Sequence, residues 1–171
     1  LAQTVDSTQG ELARRHATAV NAVKLVGVFT LLLMLVALSG LLSGAVSFNP
    51  VAANTLRIVV VFLGLGAIVF RRTRFSAMRL QDIAALRGAS GLLETLQTTT
   101  VIVALIAALI AILGFLISVM TSAGTDMLYF GVIAAVVLAY GYPRRAAWQA
   151  VVRATEREDG DPVRAAKGTL A

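Results

Sequence analysis

Few side chains in this chain are equipped for chemistry. There is no cysteine, which removes disulfides, thiolate metal sites and cysteine nucleophiles. The single histidine, His16, precludes bis-histidine haem ligation and any histidine metal cluster. Ser39, Ser43 and Ser118 have no histidine to activate them, and serines in helices commonly bond their own backbone. Met34, Met78, Met120 and Met127 lack the clustering of a copper site and read as packing residues. No glycine-rich phosphate loop occurs, since Gly64-Leu65-Gly66 stands inside an apolar segment. The expectation is a chain without catalytic residues, cofactor or metal, and not an enzyme.

What remains is arginine, hydroxyls and small residues. Fifteen Lys+Arg face nine Asp+Glu, a formal net charge of +6, and only Lys24 and Lys167 are lysines. An arginine bias of this kind fits a GC-rich genome. No basic stretch carries the interleaved aromatics of a base-stacking surface, so nucleic acid is not an expected partner. Arg71, Arg72, Arg74, Arg144 and Arg145 are candidates for lipid headgroups, each worth about 1 kcal/mol near an anionic surface. The same arginines would serve passively as topology anchors.

The elements that hold these residues follow from where charge is missing. Hydrophobic residues make up 58% of the 171 and charged ones 14%. The mean hydropathy is +0.83. A soluble domain carries about 45–50% apolar and about 25% charged residues. Charge-free runs separate Lys24 from Arg57, Arg57 from Arg71, Glu94 from Asp126 and Asp126 from Arg144. A bilayer core of about 30 Å needs ~20 apolar residues per helix. Four transmembrane helices are therefore predicted at 25–46, 51–70, 98–121 and 127–142. Arg57 would snorkel from the edge of the second. The fourth, about 24 Å long, would borrow from Ser122–Asp126 or from beyond Pro143 to cross fully.

The predicted fold is all-α: a polytopic four-helix bundle of two helical hairpins, a single membrane domain. Fourteen of the fifteen cations, all but Arg57, fall in segments 1–24, 71–97 and 143–171. The positive-inside rule makes those segments and both termini cytoplasmic, in what reads as a bacterial inner membrane. Thr8 and Glu11 have capping-box spacing, with Leu12, Ala19, Val20 and Val23 on one helix face. Segment 72–87 gathers Phe75, Met78, Ala85 and Leu86 on one side among Arg74, Arg79 and Arg87. Gly88-Ala-Ser-Gly91 is expected to break or bend the chain. After Pro143, Trp148, Val151 and Val152 form a third amphipathic turn suited to the headgroup layer. Tyr129, Tyr140 and Tyr142 bracket the fourth span as an aromatic belt. The tail from Glu156 is polar and expected to fray. The opening residues through Asn21 are polar, without a signal-peptide pattern, and a start at leucine implies a missing or processed N-terminus.

Helix packing supplies the most specific pattern. Thr100, Ala104, Ala107, Ala111, Gly114, Ser118 and Thr121 follow 4-3-4-3-4-3 spacing. Membrane helices associate where small residues let backbones approach, and a period of 3.5 favours a left-handed crossing near +20°. The first span has Gly27, Thr30, Met34, Ala37, Leu41 and Gly44, and includes Gly40-x-x-x-Gly44. Gly64, Gly66 and Ala67 mark the second; Gly131, Ala135 and Ala139 the fourth. These seams either close the bundle or dock a partner, and the long third-span stripe could serve both, half inside and half outside.

No carboxylate lies in any apolar core, which disfavours proton- or ion-coupled transport. The function expected is a non-catalytic accessory, scaffolding or regulatory subunit of a membrane complex or homo-oligomer. Its expected partners are lipids and membrane subunits or copies of itself. One alternative is an uncoupled pore or facilitator lined by Thr98, Thr99, Thr100, Ser118 and Thr121. A second is a lipid-modifying enzyme using Glu94 or Asp82 as base.

Overall fold

The computed structural model describes the backbone of residues 2–41, 49–74 and 77–150, and side chains over 9–41, 49–74 and 90–150. Within these the chain is helical and contains no strand. It forms α1 (Ala2–Leu38), α2 (Pro50–Arg74), α3 (Ala77–Thr121) and α4 (Gly124–Gly141), followed by a helical stretch at 145–150. Four helices are long and apolar enough to cross a membrane, with spans Gln9–Leu38, Pro50–Arg74, Ser90–Thr121 and Gly124–Ala150.

Local chemistry explains most of the boundaries. Helix α1 ends because Gly40 takes φ 69°, the left-handed conformation that closes a helix, while its N–H donates to Ala37 O at 3.3 Å. Gly40 is thus a helix stop and not half of a packing motif, and Gly44 lies outside the described residues. Helix α1 ends at Leu38, and residues 42–46 of the predicted first span lie outside the described residues. Asn49 caps α2: its Oδ1 accepts from the N–H groups of Val51 at 3.1 Å and Ala52 at 3.2 Å. Pro50 occupies the first helical position, where its missing N–H costs nothing. Arg71, Arg72 and Arg74 lie in the last turn of α2, where cations offset the helix dipole. Helix α4 stops ahead of Pro143, and Tyr142 N–H donates to Ala139 O at 3.3 Å.

Two expected boundaries are absent. Helix α1 runs straight through Thr8, so Thr8 and Glu11 form no capping box; Glu11 instead pairs with Arg15 at 2.8 Å, one turn along. Helix α3 runs unbroken through Gly88–Gly91. A helical glycine costs only about 1 kcal/mol relative to alanine. Burial of Gly91, Leu92, Leu93 and Leu96 immediately beyond supplies the offset. There is consequently no separate element over 71–97: α2 extends to Arg74 and α3 begins at Ala77. The side chains of the amphipathic pattern there, and of Asp82, Val151 and Val152, lie outside the described residues.

Helix α3 packs on all three others, and α1 and α2 each pack on α3 and α4 but not extensively on each other. Gly114 faces Phe130 and Gly141 faces Val103, so α3 and α4 run antiparallel. The main core unites Val103, Ala104, Ala107, Ile110, Ala111 and Ile117 of α3 with Val23, Val60, Ala67, Met127, Phe130, Ala134 and Val137. A second cluster joins Leu12 and Ala19 of α1, Leu93 and Leu96 of α3, and Trp148.

Helices α2 and α4 share a repeating register. Arg57 meets Asp126, Gly64 approaches Ile133, and Arg71 stacks on Tyr140. Each step is seven residues on both helices, so the two run parallel, with the 3.5-residue period of a left-handed crossing.

Candidate functional site

Small residues fix the interior. Along the α3 stripe Thr100, Ala104, Ala107, Ala111, Gly114 and Ser118 are all buried within the chain, and only Thr121 is partly exposed. The stripe has no outward half. At Gly114 the neighbouring helix comes so close that an added Cβ would overlap the Phe130 side chain. The α4 series splits: Gly131 is buried while Ala135 and Ala139 are exposed, because α4 turns Met127, Phe130, Ala134, Val137 and Leu138 inward instead.

The hydroxyls of the stripe are bonded at its two ends. Thr100 Oγ1 donates to Leu96 O at 2.9 Å and Ser118 Oγ to Ala123 O at 3.0 Å, while Thr121 Oγ1 has two acceptors within reach of its one proton, Ile117 O at 2.9 Å and Asp126 Oδ2 at 2.8 Å. Thr98 is exposed and Thr99 buried. Between the two ends the stripe is alanine and glycine, which offer no hydroxyl lining for a polar path. Among the described residues no buried side-chain nitrogen or oxygen lacks a hydrogen-bond partner, and no group of acidic and histidine side chains is placed to hold a metal.

At the end of the helices where α3 meets α4, a polar knot ties three of them together. Asp126 Oδ2 accepts from Arg57 Nη2 at 2.7 Å and lies within reach of Thr121 Oγ1 at 2.8 Å, while Arg57 Nη1 also donates to Asn54 Oδ1 at 3.0 Å. Arg57 therefore does more than snorkel. Asp126 is in the first turn of α4, where a carboxylate favours the helix dipole. Each of the two charges stands at the border of an apolar run, a signal visible in the sequence, but their pairing depended on the α2–α4 register.

The opposite end holds the candidate site. A cavity of about 330 Å³ is lined by Arg71, Thr100, Tyr140, Tyr142, Arg144 and Trp148, with Ala139, Pro143 and Ala147. Arg71 Cζ lies 4.7 Å from the Tyr140 ring centre, a cation–π contact. Pro143 ends α4 and turns the chain so that Arg144 and Trp148 close the cavity; Trp148 N–H donates to Arg144 O at 3.2 Å. Trp148 is only 3% exposed. It is a core residue, not a headgroup anchor, because Leu12, Ala19, Leu93 and Leu96 enclose it. His16 braces it from α1: its ring stands edge-on to the indole at 5.4 Å, and Nε2 is 2.9 Å from Pro143 O.

Of the five arginines singled out from sequence, the fold brings Arg71 and Arg144 to this cavity. Arg72, Arg74 and Arg145 are exposed, with Arg74 Cζ 5.4 Å from the Phe70 ring centre. Glu94 is exposed and does not line the cavity. The arrangement can receive a compact anion: two arginines and two tyrosines contribute to the wall, and no acidic residue does.

A second, apolar groove runs along the α2–α4 seam, about 240 Å³ in volume, between Val61, Gly64, Leu65 and Ile68 on α2 and Val132, Ile133, Val136 and Val137 on α4.

Among the described residues, which are helical without strands, four apolar helices are long enough to cross a membrane, and that defines the class to which the chain conforms: helical integral membrane proteins. Comparison of the chain with protein-family models, with curated proteins and with solved structures finds no match.

Proposed function

We propose that this is a non-catalytic integral membrane protein, a four-helix bundle of two hairpins that serves as an accessory or scaffolding subunit of a larger membrane assembly. The observation that carries the reading is the length of α1 and α3. At 37 and 45 residues they measure about 55 and 68 Å, against a hydrocarbon core of about 30 Å. Their register on α4 makes them parallel to each other, so their N-terminal parts project beyond the bilayer on the same side. The Leu12–Leu93–Trp148 cluster binds those projections to the segment after α4. Such a braced platform suits holding a partner, and the bonded hydroxyls and ion-paired Asp126 serve structure. The alternating helix directions and the arginine-rich character of the platform end support a cytoplasmic platform with both termini inside, as in a bacterial inner membrane.

Within the membrane, α1 offers an apolar ridge. Leu25, Val28, Leu32 and Leu35 are 54–71% exposed and follow 3-4-3 spacing, the pattern of a helix–helix seam. Replacing all four by alanine keeps the helix apolar and leaves the core untouched. Co-purification after mild detergent extraction should lose the partner or second copy in this variant. An unchanged assembly would count against the ridge as the docking face.

A further inference from the structure

The two cavities share no lining residue, but their walls come within one helical turn of each other on both α2 and α4. Ile68 and Arg71 lie one turn apart on α2, and Val136 and Tyr140 one turn apart on α4. The parallel seven-residue register carries the apolar groove directly up to the Arg71–Tyr140 contact. From Arg71 back to Val61 is ten residues on one helix, about 15 Å, or half the thickness of a hydrocarbon core. A ligand that fills both parts has an anionic head and an apolar tail. The groove's lip is formed by exposed aliphatics, Val61, Leu65, Val132 and Val136, so a chain can enter it sideways from lipid.

We propose that Arg71 and Arg144 bind the phosphate of one anionic phospholipid, with Tyr140 and Tyr142 beside the headgroup and an acyl chain lying in the α2–α4 groove. The site is independent of the accessory-subunit reading, because it would bind lipid whether or not a protein partner exists. It also differs from diffuse surface attraction, which would treat all exposed arginines alike. A free phosphate ester would satisfy the same arginines but leave the groove without a role.

Trp148, the single tryptophan, lines the cavity and reports its occupancy. The full-length protein in phosphatidylcholine nanodiscs is titrated with phosphatidylglycerol while Trp148 emission is followed. A saturable change is expected, and inorganic phosphate at matched concentration should neither reproduce nor reverse it. R71Q/R144Q should weaken the response about tenfold or more, whereas R72Q/R74Q, with the same loss of charge, should stay within about twofold of wild type. V132F/V136F, which crowds the groove and spares the arginines, should also weaken binding of phosphatidylglycerol. Equal weakening in R71Q/R144Q and R72Q/R74Q overturns the site, as does a wild-type response that never saturates. Displacement by inorganic phosphate overturns the lipid assignment in favour of a free phosphate ligand. Lipid phosphorus retained per protein after purification gives a second readout on wild type alone, and its absence also contradicts the proposal.

Discussion

At the scale of single residues, close packing and one ion pair govern this protein. Gly114 sits where α3 comes nearest to Phe130, so Gly114→Leu should destabilise the fold by about 1–3 kcal/mol, read as a lowered melting temperature in detergent. Unchanged melting would mean that α3 and α4 are not so close. The 4-3 stripe that contains Gly114 was legible because small residues at that period have few other uses in a helix amid lipid. The Arg57–Asp126 pair was not, since 69 positions separate its members and each looks alone like an edge charge. The Arg57 side chain is 41% exposed and that of Asp126 15%. A double-mutant cycle of Arg57→Gln and Asp126→Asn should give a coupling of about 1 kcal/mol, and additive single effects would refute the pairing.

At the scale of elements, the sequence marks helix ends well where one residue acts locally. Pro143 ends α4 close to where the fourth span was expected to stop, whereas the Asn49 cap ahead of Pro50, equally local, was not read from the sequence. It misleads where tertiary packing decides. Gly88–Gly91 reads as a break, yet α3 continues because the leucines beyond are buried. Trp148 reads as an interfacial anchor, since nothing near it in sequence shows Leu12 or Leu93 as neighbours. Trp148→Ala should cost about 3–5 kcal/mol and loosen the segment after α4. Faster tryptic cleavage after Arg144 and Arg145, with the spanning helices still protected, is the expected result. Equal protection in wild type and variant would show that the second cluster does not hold this segment.

At the scale of the whole molecule, four apolar segments were readable from composition because the hydrocarbon core excludes charge, which is confined to the ends of each span, as Arg57 is in the second. The packing order was not readable: α3 is central, and α1 and α2 rest on it and on α4 instead of closing on each other. That order depends on which face each helix turns inward, and helices apolar all round leave this undetermined from sequence. It is also why the third-span stripe is used entirely within the chain, moving the expected partner surface to the α1 ridge and the braced platform. The most direct test is native mass spectrometry of the full chain extracted in a mild detergent. The expected result is an assembly heavier than the 17.9 kDa chain with its lipid, reduced to that unit when Leu25, Val28, Leu32 and Leu35 are replaced by alanine. A wild-type protein that is monomeric throughout, with no co-purifying subunit, would contradict it.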